Sequence, residues 1–401
     1  MSSLSLKQLS QVWRSPSDLL SVLTVIGGDI VKSALAQLAG GHITPVSFSF
    51  GWVGYSFSSL SVAVGENRLM PPVDYPSIVV NGKNGYVRNN NSWMLGRILR
   101  DFDYWRPKEV HRQLKAMRKE LSSPLHRLPG LCISVFETTK GKQGQASMDW
   151  VYLSGILVVI IQLIVATIPW IIFDDFVPFM VTAIGVVLCL LQGALPQWKA
   201  EKWMCRRRKK EKTVILTAGN GALHVLVIIG KEGALDLEDL ATAALPSVQH
   251  TRFLVPLLAL AWLAHLITVT GINENPWFFL AVGGIGMVHN VVVAGAPRRP
   301  EAFGLHLDFR ECILNRKVMK SLMTLEENHP GLGACLLPIF FPGSLNEEEQ
   351  KFWDEKANIW QALLKHGSTS EPKEVKNSDI SDSKPLQKSL EEPPDQTLLP
   401  V

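Results

Sequence analysis

Four stretches of this chain, Trp150–Phe173, Phe176–Trp198, Phe253–Asn273 and Asn275–Pro297, contain no Asp, Glu, Lys or Arg. A helix needs about 20 apolar residues to cross the ~30 Å hydrocarbon core of a bilayer. A helix of a soluble protein keeps a polar face over such a length. The pattern therefore predicts four transmembrane helices. Two earlier segments extend the series. Ile43–Val64 is uncharged but rich in Ser and Gly, residues that favour close helix contact in a membrane. Leu19–Leu38 carries Asp29 and Lys32. Each would cost about 2.5–3.5 kcal/mol at the centre of a helix, but at i, i+3 they can share a face and pair.

Charge placement tests this reading independently. All of the 40 Lys and Arg except Lys32 fall in the N-terminus, the loops 65–149 and 199–252, or the chain from Arg298 on. The short turns between spans, around Gly41, Asp174–Asp175 and Glu274, hold none. The positive-inside rule then orients three hairpins alike, with both termini cytosolic. The expected fold class is mainly α, a polytopic transmembrane bundle of about six spans with a small cytosolic α+β layer. Its segments are a cytosolic N-terminus (1–18), three transmembrane hairpins (19–64, 150–198 and 253–297) and two cytosolic loops (65–149 and 199–252). A cytosolic helical segment (298–366) and a disordered, polar tail (367–401) follow. The first apolar segment holds two charges and reads as an uncleaved anchor. The five Cys form no CxxC pair and fit free thiols.

Within the loops, Ser77–Val80 and Tyr86–Arg88 flank a turn at Asn81–Gly85, and Thr213–Ala218 and Ala222–Ile229 flank Gly219-Asn-Gly221. Both read as hairpins. Leu131–Phe136 reads as a strand, Ser92–Arg106 and Lys108–Leu121 as helices broken at Pro107, and Glu311–Glu327 as a helix. Pro338–Pro342 reads as an apolar loop, and a helix starts near Ser344.

Ionisable residues at membrane depth are functional candidates by default. These are Asp29, Lys32, His265 and His289. The two histidines fall in consecutive antiparallel spans at depths that would let them approach each other. Two His make half a metal site, so no metal is assigned, and no motif calls for a cofactor. Gly219-Asn-Gly221 lacks the residues of a phosphate loop. Arg206–Lys210, beside a span, reads as an anchor for anionic lipid headgroups, not as a nucleic-acid patch. The nucleophile signatures GxSxG and HExxH are absent.

Phe48–Tyr55 (FSFGWVGY), Leu195–Trp203 (LPQWKAEKW), Leu216–Gly221 (LTAGNG) and Leu337–Gly343 (LPIFFPG) resemble a group of multi-pass membrane proteins from filamentous fungi. That group has no agreed activity, so the resemblance transfers no catalytic residue. It implies a setting, the endoplasmic reticulum or another endomembrane, and an association with specialised (secondary) metabolite biosynthesis. The expected function is an accessory protein or enzyme acting on a hydrophobic small molecule. The alternatives are a non-catalytic scaffold that recruits partner enzymes, and a small-molecule transporter or channel.

Overall fold

The computed structural model describes residues 27–41, 43–65, 68–120, 130–139, 143–244, 249–270 and 276–367. The N-terminal segment 1–26, the turn around Glu274 and the tail from residue 368 lie outside the described residues. Residues Glu347–Val401 form a second unit, of which the helix α14 (Glu347–Gly367) is described. All that follows concerns the first unit.

Elements run in the order α1 (Gly28–Leu38), α2 (Gly51–Val64), β1 (Ile78–Asn81), β2 (Val87–Asn89), α3 (Trp93–Arg100), α4 (Phe102–Trp105), α5 (Lys108–Glu120) and β3 (Leu131–Thr138). Then come α6 (Trp150–Phe173), α7 (Val177–Gly193), α8 (Pro196–Lys202), β4 (Lys212–Thr217), β5 (His224–Gly230), α9 (Leu237–Leu240), α10 (Gln249–Thr270) and α11 (Pro276–Gly295). The unit closes with β6 (Leu307–Asn315), α12 (Val318–Asn328) and α13 (Leu332–Phe340).

Strands from the segments before α6, between α8 and α10, and after α11 meet in one mixed sheet of order β2-β1-β4-β5-β3-β6. The β5–β3 pair is parallel and the others antiparallel. The central strands are near-continuous apolar runs, as a sheet covered on both faces requires. Val225–Ile228 and Ile133 are fully buried. Both expected hairpins form, and Gly219 and Gly221 take the positive φ (92° and 85°) that the β4–β5 turn needs. The residues expected to be helical from Glu311 instead begin in β6, which pairs along β3 and leaves the helix to start at Val318. Leu307, Phe309 and Ile313 give β6 the alternation of an edge strand packed on one side. The expected apolar loop at Pro338–Pro342 is largely the end of α13.

The expectation of about six spans does not hold. Among the described residues three helices are long and apolar enough to cross a membrane, α6, α10 and α11. A fourth counts only if α7 and α8, bent by 41° at their junction, act as one span. Gly193 and Pro196 explain that break, since proline cannot supply the next helical N–H. The outward faces of the long helices are mainly apolar, with Leu157, Ile164, Leu257, Leu260 and Ile267 all more than half exposed. Such a surface suits contact with lipid and would be costly in water.

The first two expected spans stand differently, since residues 19–26 of the first lie outside the described residues. Of Leu19–Leu38, the described part is the 11-residue α1. Ile43–Val64 is not one helix: Thr44–Ser49 is extended and buried, and only Gly51–Val64 is helical. At 14 residues, α2 is about 21 Å long, short of a bilayer core. The turn at Gly40–Gly41, expected at the outer face, sits at the sheet-side end of the bundle. A Cβ on Gly40 would meet the Trp203 ring, and Gly41 lies beside Tyr152 at the start of α6.

Candidate functional site

From that turn the extended segment descends through the centre of the helices. The Ile43 carbonyl accepts from Tyr152 Oη at 3.1 Å and Thr44 Oγ1 donates to the Gly193 carbonyl at 2.9 Å. Farther down, the Phe48 backbone lies against Gly286 and its ring against Gly185, while the Phe50 ring lies against Gly283. The chain then turns at Gly51, packed on Gly27, and returns toward the sheet as α2. It is a re-entrant excursion in shape, half strand and half helix.

A non-helical segment among helices has no ladder partner, so beyond the Val46 N–H, which donates to the Thr44 carbonyl at 2.9 Å, its backbone must be satisfied by side chains. Gln162 Nε2 donates to the carbonyls of Phe48 at 2.6 Å and Val282 at 2.8 Å. Asn290 Nδ2 donates to the Ser47 carbonyl and to Ser49 Oγ, both at 3.1 Å. Trp52 Nε1 donates to the Ser47 carbonyl at 2.9 Å. Glycines supply the room: a Cβ on Gly286 would lie 1.7 Å from the Phe48 oxygen, and one on Gly155 2.1 Å from the Pro45 oxygen.

His289 sits on one side of this strand, bridging Ser47 Oγ (2.6 Å to Nδ1) and Ser154 Oγ (3.1 Å to Nε2). Ser154 spends its own proton on the Val151 carbonyl at 2.9 Å. The consistent arrangement has Nε2–H donating to Ser154 and Nδ1 accepting from Ser47. A hydroxyl held on an imidazole that a third group orients is the geometry of an activated nucleophile. Here, however, the Ser47 side chain is fully buried behind Asn290 and the helices. In this conformation the pair closes a seam and meets no reactant.

His265 sits on the other side. Residues 47 and 48 point to opposite faces of an extended chain, and His265 packs edge-on against Phe48 (5.5 Å between centroids) and Trp262 (5.5 Å). Its Nε2–H donates to the Val181 carbonyl at 3.0 Å. Among the described residues its Nδ1 has no protein partner. Beside it opens a narrow cleft with about 10 Å³ of room for a water-sized group, lined by Phe48, Phe50, Phe279, Trp262 and Val269. Trp262 is itself fixed, stacked on Phe48 and Trp52 and donating to Gln192 Oε1 at 2.7 Å.

The four residues singled out from the sequence do not converge. The two histidines are separated by the extended segment. Asp29 is exposed in the first turn of α1 and Lys32 is half-buried. Among the described residues they form no ion pair with each other. The residues that organise the site went unrecognised: Gln162, Gly155 and Gly286. The lone amide in the apolar run of α6 was the signal, since a polar side chain in an apolar helix faces something polar. Among the described residues no group of three His, Cys, Asp or Glu is placed to hold a metal ion.

The Arg206–Lys210 cluster divides. Arg206 pairs with Asp239 at 3.1 Å and Arg208 with Asp236 at 2.9 Å, whereas Arg207, Lys209 and Lys210 are exposed. Lys212 bridges Asp236 (2.9 Å) and Glu238 (2.7 Å). Burial pushes both carboxyls up, but the hydrogen bonds and charge of Lys212, with Arg208 and Arg88, outweigh it and hold both below the usual carboxylate range. A carboxyl depressed in the folded state contributes stability that is complete above its unfolded value, about 4, and lost as pH falls through the folded one. Melting scans from pH 7 to pH 3 are expected to be flat down to about pH 5 and then to fall. Lys212→Met should flatten that fall; an unchanged profile would remove the network from the account.

Comparison with protein families, with curated proteins and with solved structures finds no match for this chain.

Proposed function

We propose that this chain is a multi-pass integral membrane protein that binds an apolar small molecule bearing one hydrogen-bond donor, held between the extended segment, α10 and α11. The observation that carries the reading is the His265 cleft: an aromatic wall with one imidazole nitrogen that no described residue occupies. Interrupted backbone at the centre of a helical bundle commonly lines a ligand site, because only a protein-lined or solvated environment tolerates it. With only about 10 Å³ of room for a water-sized group, the cleft takes one small polar group and not a whole ligand, far short of the roughly 300–1,000 Å³ of ordinary ligand pockets. The ligand therefore places its polar end there and leaves its apolar remainder in the bilayer beside α10. The sheet layer faces the cytosol in this reading, with Arg207, Lys209 and Lys210 meeting anionic headgroups. The resemblance to fungal membrane proteins makes a hydrophobic specialised metabolite of the endoplasmic reticulum the class to test first.

A second reading, a scaffold that carries the sheet layer to a membrane, is favoured by the separation of Asp29 and Lys32 from both histidines. Native mass spectrometry of the purified protein decides between the two. The wild type is expected to carry an adduct of discrete mass distinct from bulk lipid. His265→Phe, which keeps the ring packing and removes the acceptor, should lower its occupancy about tenfold, the worth of one hydrogen bond. A wild type with no such adduct, or a His265→Phe protein that retains it fully, sinks the binding reading and leaves the scaffold.

A further inference from the structure

The sheet carries a pair of thiols that the ligand cleft does not involve. Cys132 on β3 and Cys312 on β6 lie on neighbouring strands, their sulfurs 3.7 Å apart. The register sets Ser134 opposite Cys312 and Leu314 opposite Cys132, so the two thiols are diagonal neighbours. On the other flank of Cys132, the parallel register of β3 and β5 aligns it with His224. The His224 ring packs on Phe102 at 4.9 Å, and its Nε2 is 3.5 Å from an Asp103 carboxyl oxygen. The two sulfurs differ in access: Cys132 is fully buried, whereas Cys312 on the edge strand is half-buried.

We propose that Cys132 and Cys312 form a reversible redox couple, a dithiol that a peroxide converts into a disulfide stapling the edge strand β6 to the centre of the sheet. The sulfur that carries the thiolate, Cys132, reacts first. Its S–O bond forms as the peroxide O–O bond breaks, and the departing hydroxide takes up the proton that thiol released, as water. Cys312 then attacks the resulting sulfenic acid: the S–S bond forms, the S–O bond breaks, and the second hydroxide leaves with the Cys312 proton as water. Two thiols lose two electrons and two protons, and one peroxide is reduced to two waters. A thiol reductant reverses the step by exchange.

The asymmetry of the pair suits this order, because the sulfur that attacks peroxide does so as a thiolate, and the second hydroxide, released beside Cys312, takes up that thiol's proton. The hydrogen bond from Cys312, followed by contact with His224, brings the Cys132 thiol down to about 5, while the same contact and burial push Cys312 up. The remaining cysteines are placed otherwise. Cys189 is buried in α7, and Cys335 donates to the Gly82 carbonyl at 3.6 Å. The proposal is independent of the ligand cleft, and its failure would leave that reading untouched.

The test is thiol counting on the full chain in detergent. Reduced protein is exposed to hydrogen peroxide, quenched and unfolded in N-ethylmaleimide, and weighed intact. The wild type is expected to lose two of its five alkylations, to regain them with dithiothreitol, and to yield one linked peptide pair joining residues 132 and 312. Cys312→Ser, a change at the half-buried position, should show no loss of paired alkylations and no linked peptide. Cys335→Ser should still lose two. Full alkylation of the treated wild type, or a crosslink mapped to other cysteines, overturns the proposal.

Discussion

Replacing Gly286 by alanine is expected to destabilise the protein by about 3 kcal/mol or more, the upper end of what overpacking costs, because the clash is with backbone. The added methyl would stand 1.7 Å from the Phe48 oxygen and 2.6 Å from Gln162 Nε2. That is the oxygen on which Gln162 bonds at 2.6 Å, so steric overlap and loss of a buried hydrogen bond fall together. Gly155→Ala, 2.1 Å from the Pro45 oxygen, should behave in the same way. The helices provide their own controls. A Cβ at Gly284 or Gly295 meets nothing within 4 Å, and alanine is the better helix former by about 1 kcal/mol. Gly284→Ala should therefore melt at or slightly above the wild type in detergent, monitored by tryptophan fluorescence. If Gly286→Ala and Gly284→Ala melt together, the extended segment does not lie against α11 and the site built on it is wrong.

The contrast between these glycines also shows where the sequence could be read and where it could not. Uncharged length alone locates α6, α10 and α11, and Gly219 and Gly221 announce their turn, because those signals are local. Ile43–Val64 misleads for a physical reason. An uncharged, Ser- and Gly-rich stretch satisfies the composition of a span, but its backbone state is decided by partners far along the chain. Gln162 lies 114 positions from Phe48 and Asn290 lies 243 from Ser47. No periodicity within residues 43–50 encodes those bonds. The same holds for β6, whose charged positions resemble a helix surface until β3 offers it a ladder. The histidines stand out in the sequence as polar residues in apolar helices, yet their separation follows from the segment that passes between them.

Arg298→Met should cost about 3–5 kcal/mol, the range for removing one partner of a buried ion pair. The Arg298 side chain is 2% exposed and grips Asp149 with both arms of its fork at 2.7 Å. It also donates to the Gln37 carbonyl, while its backbone N–H donates to Asp101 at 3.1 Å. Asp149 meanwhile caps α6 through the Tyr152 N–H at 3.0 Å. Lys202 Nζ fills the neighbouring carbonyls at the end of α1, donating to Ala36 at 3.1 Å and Ala39 at 2.5 Å. Two helix ends, the end of α1 and the start of α6, are thus closed by one cluster, immediately above the turn from which the extended segment descends. Arg298→Lys should recover only part of the loss, since an ammonium cannot reproduce the bidentate fork. Combining Arg298→Met with Asp149→Asn should recover more than additivity allows, because asparagine keeps the helix cap and leaves no bare carboxylate. Arg206→Met is the counterpart on the surface: with that side chain 82% exposed, its pairing with Asp239 should be worth at most about 1 kcal/mol. If Arg298→Met unfolds no more easily than Arg206→Met in urea, the cluster is not what fixes the mouth of the extended segment. The placement of His265 and His289 on its two sides would then need another anchor.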